Sequence, residues 1–149
     1  MKKILFLDID GVLNNEQFYK ECFEKKIYND NLNPEKVRML NSLDCEVVIS
    51  SSWGCDNGQT WKALRKKGFN LKVIGYTDHF YQNWLVRGNE IKKWLDENMK
   101  YEDYQYAILD DDGDMLLEQK DHFVKTNCSD GLMPEHVEKI REILESEIL

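Results

Sequence analysis

The sequence has no long hydrophobic run and no excess of basic residues. Its opening apolar run spans only residues 4–7, whereas the apolar core of a secretory signal needs about seven or more residues and a membrane span about 18. We therefore expect a cytoplasmic protein without a membrane partner. The 28 acidic residues outnumber the 20 basic ones and give a formal net charge of −8. This balance disfavours broad nucleic-acid binding, although a local basic pocket can still accept a phosphate.

The cysteines and histidines lack the spacing of metal sites. The four cysteines form no C-x-x-C pair, which argues against a zinc site or a thioredoxin-type redox motif. The three histidines also show no ligand spacing. Internal repeats, low-complexity tracts and linker-like segments are missing as well. We therefore expect residues 1–149 to form a single domain.

Five short apolar runs alternate with helical patterns along the chain. The runs cover residues 4–7, 46–49, 71–74, 104–109 and 123–126. Capping signals and apolar periodicity predict helices that start at Asn33-Pro34, at about Gln59, near Arg87 and at Met133-Pro134. Short continuous apolar strands are typical of a sheet that is covered on both faces. The pattern predicts an α/β fold: a Rossmann-like, doubly wound, mainly parallel five-stranded sheet with helices on both faces.

The connections between the predicted strands are short. Residues 14–33 are the least regular part, and we expect a flap or a small helix there. The stretches after the first and third strands leave no room for a large cap domain.

Polar residues follow three of the predicted strands where each one ends. The three groups are Asp8-Ile9-Asp10-Gly11, Ser50-Ser51-Ser52 and Asp110-Asp111-Asp112-Gly113-Asp114. Ligands of parallel sheets bind outside the carboxyl ends of the strands, so these groups form the candidate site. Clustered carboxylates disfavour joint ionisation, and Mg²⁺ commonly uses one or two carboxylates together with water and substrate phosphate. The sequence therefore predicts a Mg²⁺ site.

The spacing of Asp8 and Asp10 also predicts how their two carboxylates are oriented. In an extended chain they would lie on the same side of the strand, and Gly11 would let the backbone turn away beyond them. Two aligned carboxylates can divide the work between a nucleophile and a proton donor.

In order along the chain, these segments resemble the four motifs of the haloacid dehalogenase-like (HAD) phosphohydrolases. The motifs are Asp8-Ile9-Asp10-Gly11-Val12, then Val47-Val48-Ile49-Ser50, then Arg87 in "VRGNEIKKWL", and finally Ile108-Leu109-Asp110-Asp111. The stretches "FLDIDGVLN", "ISSSW", "RGNEIKKWL", "AILDDDGDM" and "VKTNCSDGL" are more narrowly similar to HAD domains in Swiss Army Knife RNA repair proteins. The resemblance covers nearly the full chain.

The resemblance implies a two-step phosphoryl transfer to and from Asp8. Asp8 would be the nucleophile, and Asp10 would protonate the leaving oxygen and then activate water. Ser50 and the backbone near Ser51 would bind a phosphoryl oxygen, and Arg87 would balance its charge. The implied Mg²⁺ ligands are Asp8, the main-chain carbonyl of Asp10, and Asp110 or Asp111.

Two of these assignments have alternatives. Family members usually carry lysine in the third motif, so Lys62, Lys66, Lys67 and Lys92 compete with Arg87 for that role. Asp114 competes with Asp110 and Asp111 for the metal. We favour Asp110 and Asp111, because Asp112 and Asp114 can instead cap the helix that follows them.

The expected substrate is a phosphate monoester. In the family that the chain resembles, the lack of a large cap implies an open site, which suits bulky substrates such as a nucleic-acid terminus or a protein, and small nucleotides also fit. One aromatic set either stacks a nucleobase or covers the sheet; its members are Trp53, Tyr76, His79, Phe80, Tyr81 and Trp84. The rival functions are a receiver-like phospho-acceptor module and a catalytically inactive binding domain on the same fold.

Overall fold

The structure, a computed structural model, describes residues 1–26, 32–51, 58–78 and 86–146. These residues contain one five-stranded sheet. Its strands are β1 (Lys2–Leu7), β2 (Glu46–Ile49), β3 (Val73–Tyr76), β4 (Tyr104–Asp110) and β5 (Phe123–Lys125). The order is β3-β2-β1-β4-β5, and every neighbouring pair is parallel. The predicted fold class is confirmed, and β3 starts two residues later than the apolar run that predicted it.

Five α-helices accompany the sheet in the described residues. They are α1 (Glu16–Glu24), α2 (Pro34–Met39), α3 (Gln59–Lys66), α4 (Arg87–Asn98) and α5 (Pro134–Glu145), with short 3₁₀ helices at Leu40–Ser42 and Leu117–His122. The predicted helix starts are confirmed. At α2, for example, the side chain of Asn33 accepts a hydrogen bond from the amide of Glu35 at 3.0 Å, and Pro34 takes the first helical position.

The segment predicted as a flap or small helix contains α1, and its residues 27–31 lie outside the described part. Within the described residues no large cap domain is inserted into the sheet. No helix in this part of the chain is both long and apolar enough to span a bilayer.

The sheet is buried on both faces, as its continuous apolar strands require. Successive residues of β1 point to opposite faces, so Leu5 and Leu7 belong to one core cluster while Ile4 and Phe6 belong to the other. Residues of α2, α3 and α5 pack in the first cluster: Val37, Leu64, Val137, Ile140 and Leu144. Residues of α4 pack in the second: Ile91, Trp94 and Leu95. Because each buried aliphatic side chain contributes about 1.5–3 kcal/mol, these two clusters hold the strands in place.

The strand order reverses between β1 and β4, and this is where an open α/β sheet forms its ligand crevice. Backbone pairing continues just past the strand ends. The amide of Asp8 donates to the carbonyl of Leu109 at 3.0 Å, and the amide of Ser50 donates to the carbonyl of Leu7 at 2.8 Å. The carboxyl ends of β1, β2 and β4 are therefore held side by side.

Candidate active site

Three carboxylates converge at the crevice between β1 and β4. Asp8 directly follows β1, Asp110 ends β4, and Asp111 is the next residue. One oxygen from each lies within 4.8 Å of the other two. Asp8 and Asp110 are only 6% and 1% exposed. The expectation that the acidic ends of the first and fourth strands meet agrees with this geometry.

Gly11 gives Asp111 the space that it occupies. A Cβ atom at Gly11 would lie 2.1 Å from Oδ2 of Asp111, and the glycine has φ +78°, a conformation that disfavours other residues. The carbonyl of Gly11 accepts a hydrogen bond from Thr126 Oγ1 at 2.8 Å, and its amide donates to Asn14 Oδ1 at 2.8 Å. The turn after β1 is thus fixed from two directions and leaves a gap that the Asp111 carboxylate enters.

Arg87, the first residue of α4, reaches into the carboxylate cluster. Its Nη1 lies 3.1 Å from Asp8 Oδ1 and 3.2 Å from Asp110 Oδ2, and it also donates to the carbonyl of Ser50. One guanidinium nitrogen thereby contacts residues from the ends of three strands. Among the candidates for the third motif, Arg87 is the one that the structure places in contact with these carboxylates.

The competing lysines lie elsewhere. Lys92 is on the surface of α4, where its Nζ lies 3.5 Å from Asp96 and 3.8 Å from Glu118. Lys62 and Lys66 are exposed on α3, and Lys67 follows that helix.

The electrostatics of the cluster follow from burial and crowding. Burial raises the pKa of Asp8, the nearby Asp110 raises it further, and Arg87 opposes the shift. Burial also raises the pKa of Asp110, again against the effect of Arg87. The charged forms of these carboxyls are therefore unfavourable unless more positive charge is present. Three carboxylate oxygens that face one another are the ligand type that Mg²⁺ prefers, so the residues fit the predicted metal.

Asp10 lies outside this carboxylate cluster, on the exposed side of the turn. Its Oδ1 accepts hydrogen bonds from Asn14 Nδ2 at 3.0 Å and from the hydroxyl of Tyr19 at 3.4 Å. Burial together with the charge of Asp10 raises the pKa of Tyr19 to about 12, so its hydroxyl keeps its proton as a donor at neutral pH. The side chain of Asp10 is not among the three converging carboxylates.

The strand alternation that was expected to align Asp8 with Asp10 is wrong. β1 ends at Leu7, and residues 10–13 form a turn in which the amide of Leu13 donates to the carbonyl of Ile9 at 2.9 Å. The turn, and not the period of an extended strand, sets the direction of each carboxylate.

Ser50, whose carbonyl accepts a hydrogen bond from Arg87, has a buried hydroxyl. The residue is 1% exposed, and its Oγ has no hydrogen-bond partner among the described residues. A buried hydroxyl without a partner is costly, and a phosphoryl oxygen is an acceptor that would satisfy it. Ser51 is also buried, at 5% exposure, whereas Ser52 lies outside the described residues.

Asp114 has a role different from both alternatives that the sequence offered. Its Oδ2 accepts the amide of Arg87 at 3.0 Å, and its carbonyl accepts the amide of Gly88 at 3.1 Å. It therefore caps the amino end of α4, the preceding helix in the chain, because the loop after β4 folds back over that end. The expectation that Asp114 caps the helix that follows it is wrong, and Asp114 is not among the three converging carboxylates.

The same loop is bound to α4 a second time by Gln119, which is 1% exposed. Its Nε2 donates to the carbonyl of Gly88 at 2.8 Å, and its Oε1 accepts the amide of Leu116 at 2.9 Å. Sequence reasoning missed Gln119, Asn14 and Tyr19. Asn14 could have been suspected, because asparagine favours turns and lies close to Asp10. No sequence pattern indicated Gln119 or Tyr19.

The aromatic set predicted to stack a base or cover the sheet is mostly outside the described residues. This applies to Trp53, His79, Phe80, Tyr81 and Trp84. Tyr76 ends β3 and packs against the core cluster that contains Leu5 and Leu7.

The sequence also matches a family of known proteins. The family model described as "HAD domain in Swiss Army Knife RNA repair proteins" matches residues 4–137, a range that includes all four motifs and each of the site residues above. No curated protein and no solved structure matches the chain.

Proposed function

Because the chain belongs to the family of HAD domains found in Swiss Army Knife RNA repair proteins, we propose that it is a Mg²⁺-dependent phosphatase. Its substrate would be a phosphate monoester, either a nucleotide or the phosphorylated end of a nucleic acid. The observation that carries this proposal is the position of Arg87, whose Nη1 contacts Asp8, Asp110 and the carbonyl of Ser50. Phosphoryl transfer depends mainly on alignment and on compensation of negative charge, and this site supplies both.

The metal would be held by Asp8, Asp110 and Asp111, with the main-chain carbonyl of Asp10 as a further ligand. When bound, Mg²⁺ would neutralise negative charge on the transferred phosphoryl group. The gap at Gly11 supports this assignment, because it is the space that lets Asp111 join the other two carboxylates.

In the first step, a carboxylate oxygen of Asp8 attacks the phosphorus atom. The bond between phosphorus and the leaving oxygen breaks, and Asp10 gives its proton to that oxygen. Asn14 and Tyr19 hold the Asp10 carboxyl through its Oδ1, so the acid has a fixed orientation. The products are an aspartyl phosphate on Asp8 and the free alcohol.

In the second step, Asp10 acts as the base. Its carboxylate takes a proton from a water molecule, and the resulting hydroxide attacks the phosphorus of the aspartyl phosphate. The bond between phosphorus and Asp8 breaks, which releases inorganic phosphate, restores the Asp8 carboxylate and leaves Asp10 protonated for the next cycle. Ser50 Oγ donates a hydrogen bond to a phosphoryl oxygen in both steps, and Arg87 balances its charge.

Hydrolysis of p-nitrophenyl phosphate with Mg²⁺ tests the proposal. We expect many turnovers by the wild type and none by Asp8→Asn, while Asp96→Asn, a change of an exposed aspartate on α4, serves as the matched control. Asp10→Asn should accumulate acid-stable labelled enzyme from a ³²P-labelled substrate, because it lacks the base for the second step. Uptake of a single equivalent of phosphate would instead indicate a receiver-like module, and no reaction at all would indicate a binding domain.

A substrate panel then narrows the physiological class. Nucleotides, sugar phosphates and oligonucleotides phosphorylated at the 3′ or the 5′ end are compared by kcat/KM. If the family description applies to this chain, a phosphorylated nucleic-acid end should have the highest kcat/KM of these substrates. A preference for sugar phosphates would contradict that part of the proposal.

A further inference from the structure

A cavity of about 450 Å³ opens beside the carboxylate cluster. It is lined by Asp111, Lys125, Thr126, Asn127, Cys128 and His136. Lys125 is the last residue of β5 and pairs in register with Asp110 of β4. The cavity is therefore at the same edge of the sheet as the proposed phosphatase site, and Asp111 belongs to both. Its volume lies within the range of about 300–1,000 Å³ that is usual for small-molecule sites.

Three of the six lining side chains, those of Lys125, Asn127 and His136, offer hydrogen-bond donors, and Asp111 contributes an acceptor. The Nδ1 of His136 already accepts the amide of Met133 at 2.9 Å, so the neutral ring carries its proton on Nε2. The Oδ1 of Asn127 accepts the amide of Ser129 at 2.8 Å, which leaves the side-chain NH₂ as a donor. The hydroxyl of Thr126 already donates to the carbonyl of Gly11, so it is not among these donors.

Lys125 adds a positive charge to these donors. Its side chain is exposed, and within the described part of the chain it forms no salt bridge. In a protein of net charge −8, such a cation beside a phosphate-transfer site favours a second anion. A negatively charged ligand rich in acceptor oxygens complements the side chains of Lys125, Asn127 and His136.

We propose that this cavity binds a second phosphate group of the substrate, adjacent to the phosphate that is transferred, through Lys125, Asn127 and His136. The inference rests on the proposed phosphatase function and specifies its substrate class. Two substrates carry this chemistry: a nucleic-acid end, in which the second phosphate is the neighbouring phosphodiester, and a nucleoside bisphosphate. Substrates with only one phosphate leave the cavity empty and should react less efficiently.

The test compares Lys125→Met with Lys72→Met, a matched control. Lys72 is 78% exposed, and its Nζ lies 3.8 Å from Glu46. It directly precedes β3, the outer strand on the side of the sheet opposite to β5. The substrates are p-nitrophenyl phosphate, a mononucleotide, a nucleoside 3′,5′-bisphosphate, and dinucleotides phosphorylated at the 3′ or the 5′ end. For Lys125→Met, we expect kcat/KM on the preferred two-phosphate substrate to fall about tenfold more than on substrates with one phosphate.

Binding gives a second measurement that does not depend on turnover. In an Asp8→Asn background, fluorescence anisotropy of an end-phosphorylated, dye-labelled oligonucleotide is followed against salt concentration. Adding Lys125→Met should make the plot of log association constant against log salt concentration less steep by about 0.7, the value for one lost phosphate contact on a single strand. Lys72→Met should leave the slope as it is.

The outcomes separate the two proposals. An equal loss for Lys125→Met on all substrates, or no difference between Lys125→Met and Lys72→Met, would overturn the second-phosphate site while leaving the phosphatase in place. If the wild type hydrolyses none of the substrates, the phosphatase proposal fails, and the salt dependence of binding still tests the cavity. A preference shared by dinucleotides and the bisphosphate supports the site, and a preference confined to dinucleotides identifies the phosphodiester as its ligand.

Discussion

Nη1 of Arg87 lies 3.1 Å from Oδ1 of Asp8, although the two residues are 79 positions apart in the sequence. The same nitrogen is 3.2 Å from Asp110 Oδ2. One guanidinium thus contacts two buried carboxylates of the site, and its Nε lies 3.8 Å from a further buried carboxylate, that of Glu90. Asp111 adds another carboxylate that Arg87 is not seen to contact. If Asp8, Asp110 and Asp111 all ionise, the cluster keeps an excess of negative charge that a divalent cation would compensate. Arg87 and a bound metal would therefore both compensate the negative charge of this cluster.

Replacing Arg87 tests this charge balance. We expect Arg87→Met to lower kcat/KM for p-nitrophenyl phosphate on the order of 10³-fold, the effect of removing an arginine that stabilises a transferred phosphoryl group. Arg87→Lys should recover part of the loss, because it keeps the charge but not the planar fork. The control is Lys92→Met on the same helix, whose side chain pairs with surface acids. A larger loss in Lys92→Met than in Arg87→Met would show that the third motif was assigned to the wrong cation.

Gly11→Ala tests the approach of Asp111. The new Cβ would lie 2.1 Å from Asp111 Oδ2 at a backbone φ of +78°, so either the turn or the carboxylate must move. We expect the Mg²⁺ affinity, measured by titration calorimetry, to weaken by about 10-fold or more. Gly113→Ala is the matched control, since a Cβ there meets no atom within 4 Å. Wild-type Mg²⁺ affinity in Gly11→Ala would remove Asp111 from the proposed ligand set.

The part of the site that sequence reasoning located follows from sheet topology. Asp8, Ser50 and Asp110 each come directly after or at the end of an apolar run, and the parallel strands bring those ends to one edge of the sheet. Their convergence thus needed only the alternation of strands and helices. The resemblance to the four motifs added Arg87, which has no strand end to mark it.

The part that sequence reasoning could not locate depends on loop conformation and on contacts between distant residues. Asp114 caps α4 from 27 positions away, and Gln119 contacts Gly88 across 31 positions. No local pattern encodes either pairing, because capping preferences describe neighbours in the chain. The direction of Asp10 likewise follows from the turn at Gly11, which begins before a period-2 pattern can apply.

Asp114→Ala should weaken the attachment of the loop to α4. Loss of the bond from the Arg87 amide to Oδ2 removes both a cap and a negative charge from the helix amino end. We expect the free energy of unfolding, measured in urea, to fall by about 1 kcal/mol. Activity should fall as well, because Arg87 begins the helix that is released.

The comparison variants for this change are Asp114→Asn and Asp121→Ala. The amide oxygen of asparagine can still accept the Arg87 N–H, so Asp114→Asn should lose less stability than Asp114→Ala. Asp121 is exposed in the 3₁₀ helix, and its replacement should have little effect. Equal stabilities for Asp114→Ala and Asp121→Ala would mean that the cap is not important to the fold.

The lowered pKa of His136 predicts that the protein loses stability in mildly acidic solution. Burial lowers the pKa of His136 below its usual value of 6.5, and the nearby Lys139 and Lys36 lower it too, against the effect of Glu135. The unfolded chain therefore binds a proton more readily than the folded one between the two pKa values. The stability that the neutral ring supports is complete above about pH 6.5 and declines as the pH falls toward the lowered pKa. Protonation would also break a hydrogen bond, because Nδ1 accepts the Met133 amide at the start of α5 and a protonated ring has no lone pair for it.

The measurement compares urea unfolding of the wild type and His136→Gln at pH 7.5 and 5.5. Glutamine keeps an oxygen that can accept the Met133 N–H and does not take up a proton in this range. We expect the wild type to lose more stability than the variant between these two pH values, by up to about 1 kcal/mol, the usual contribution of a helix cap. Because the carboxylates are shared by both proteins, their titration cancels in the difference. If His136→Gln loses as much stability as the wild type, protonation of the His136 ring is not the cause of the loss.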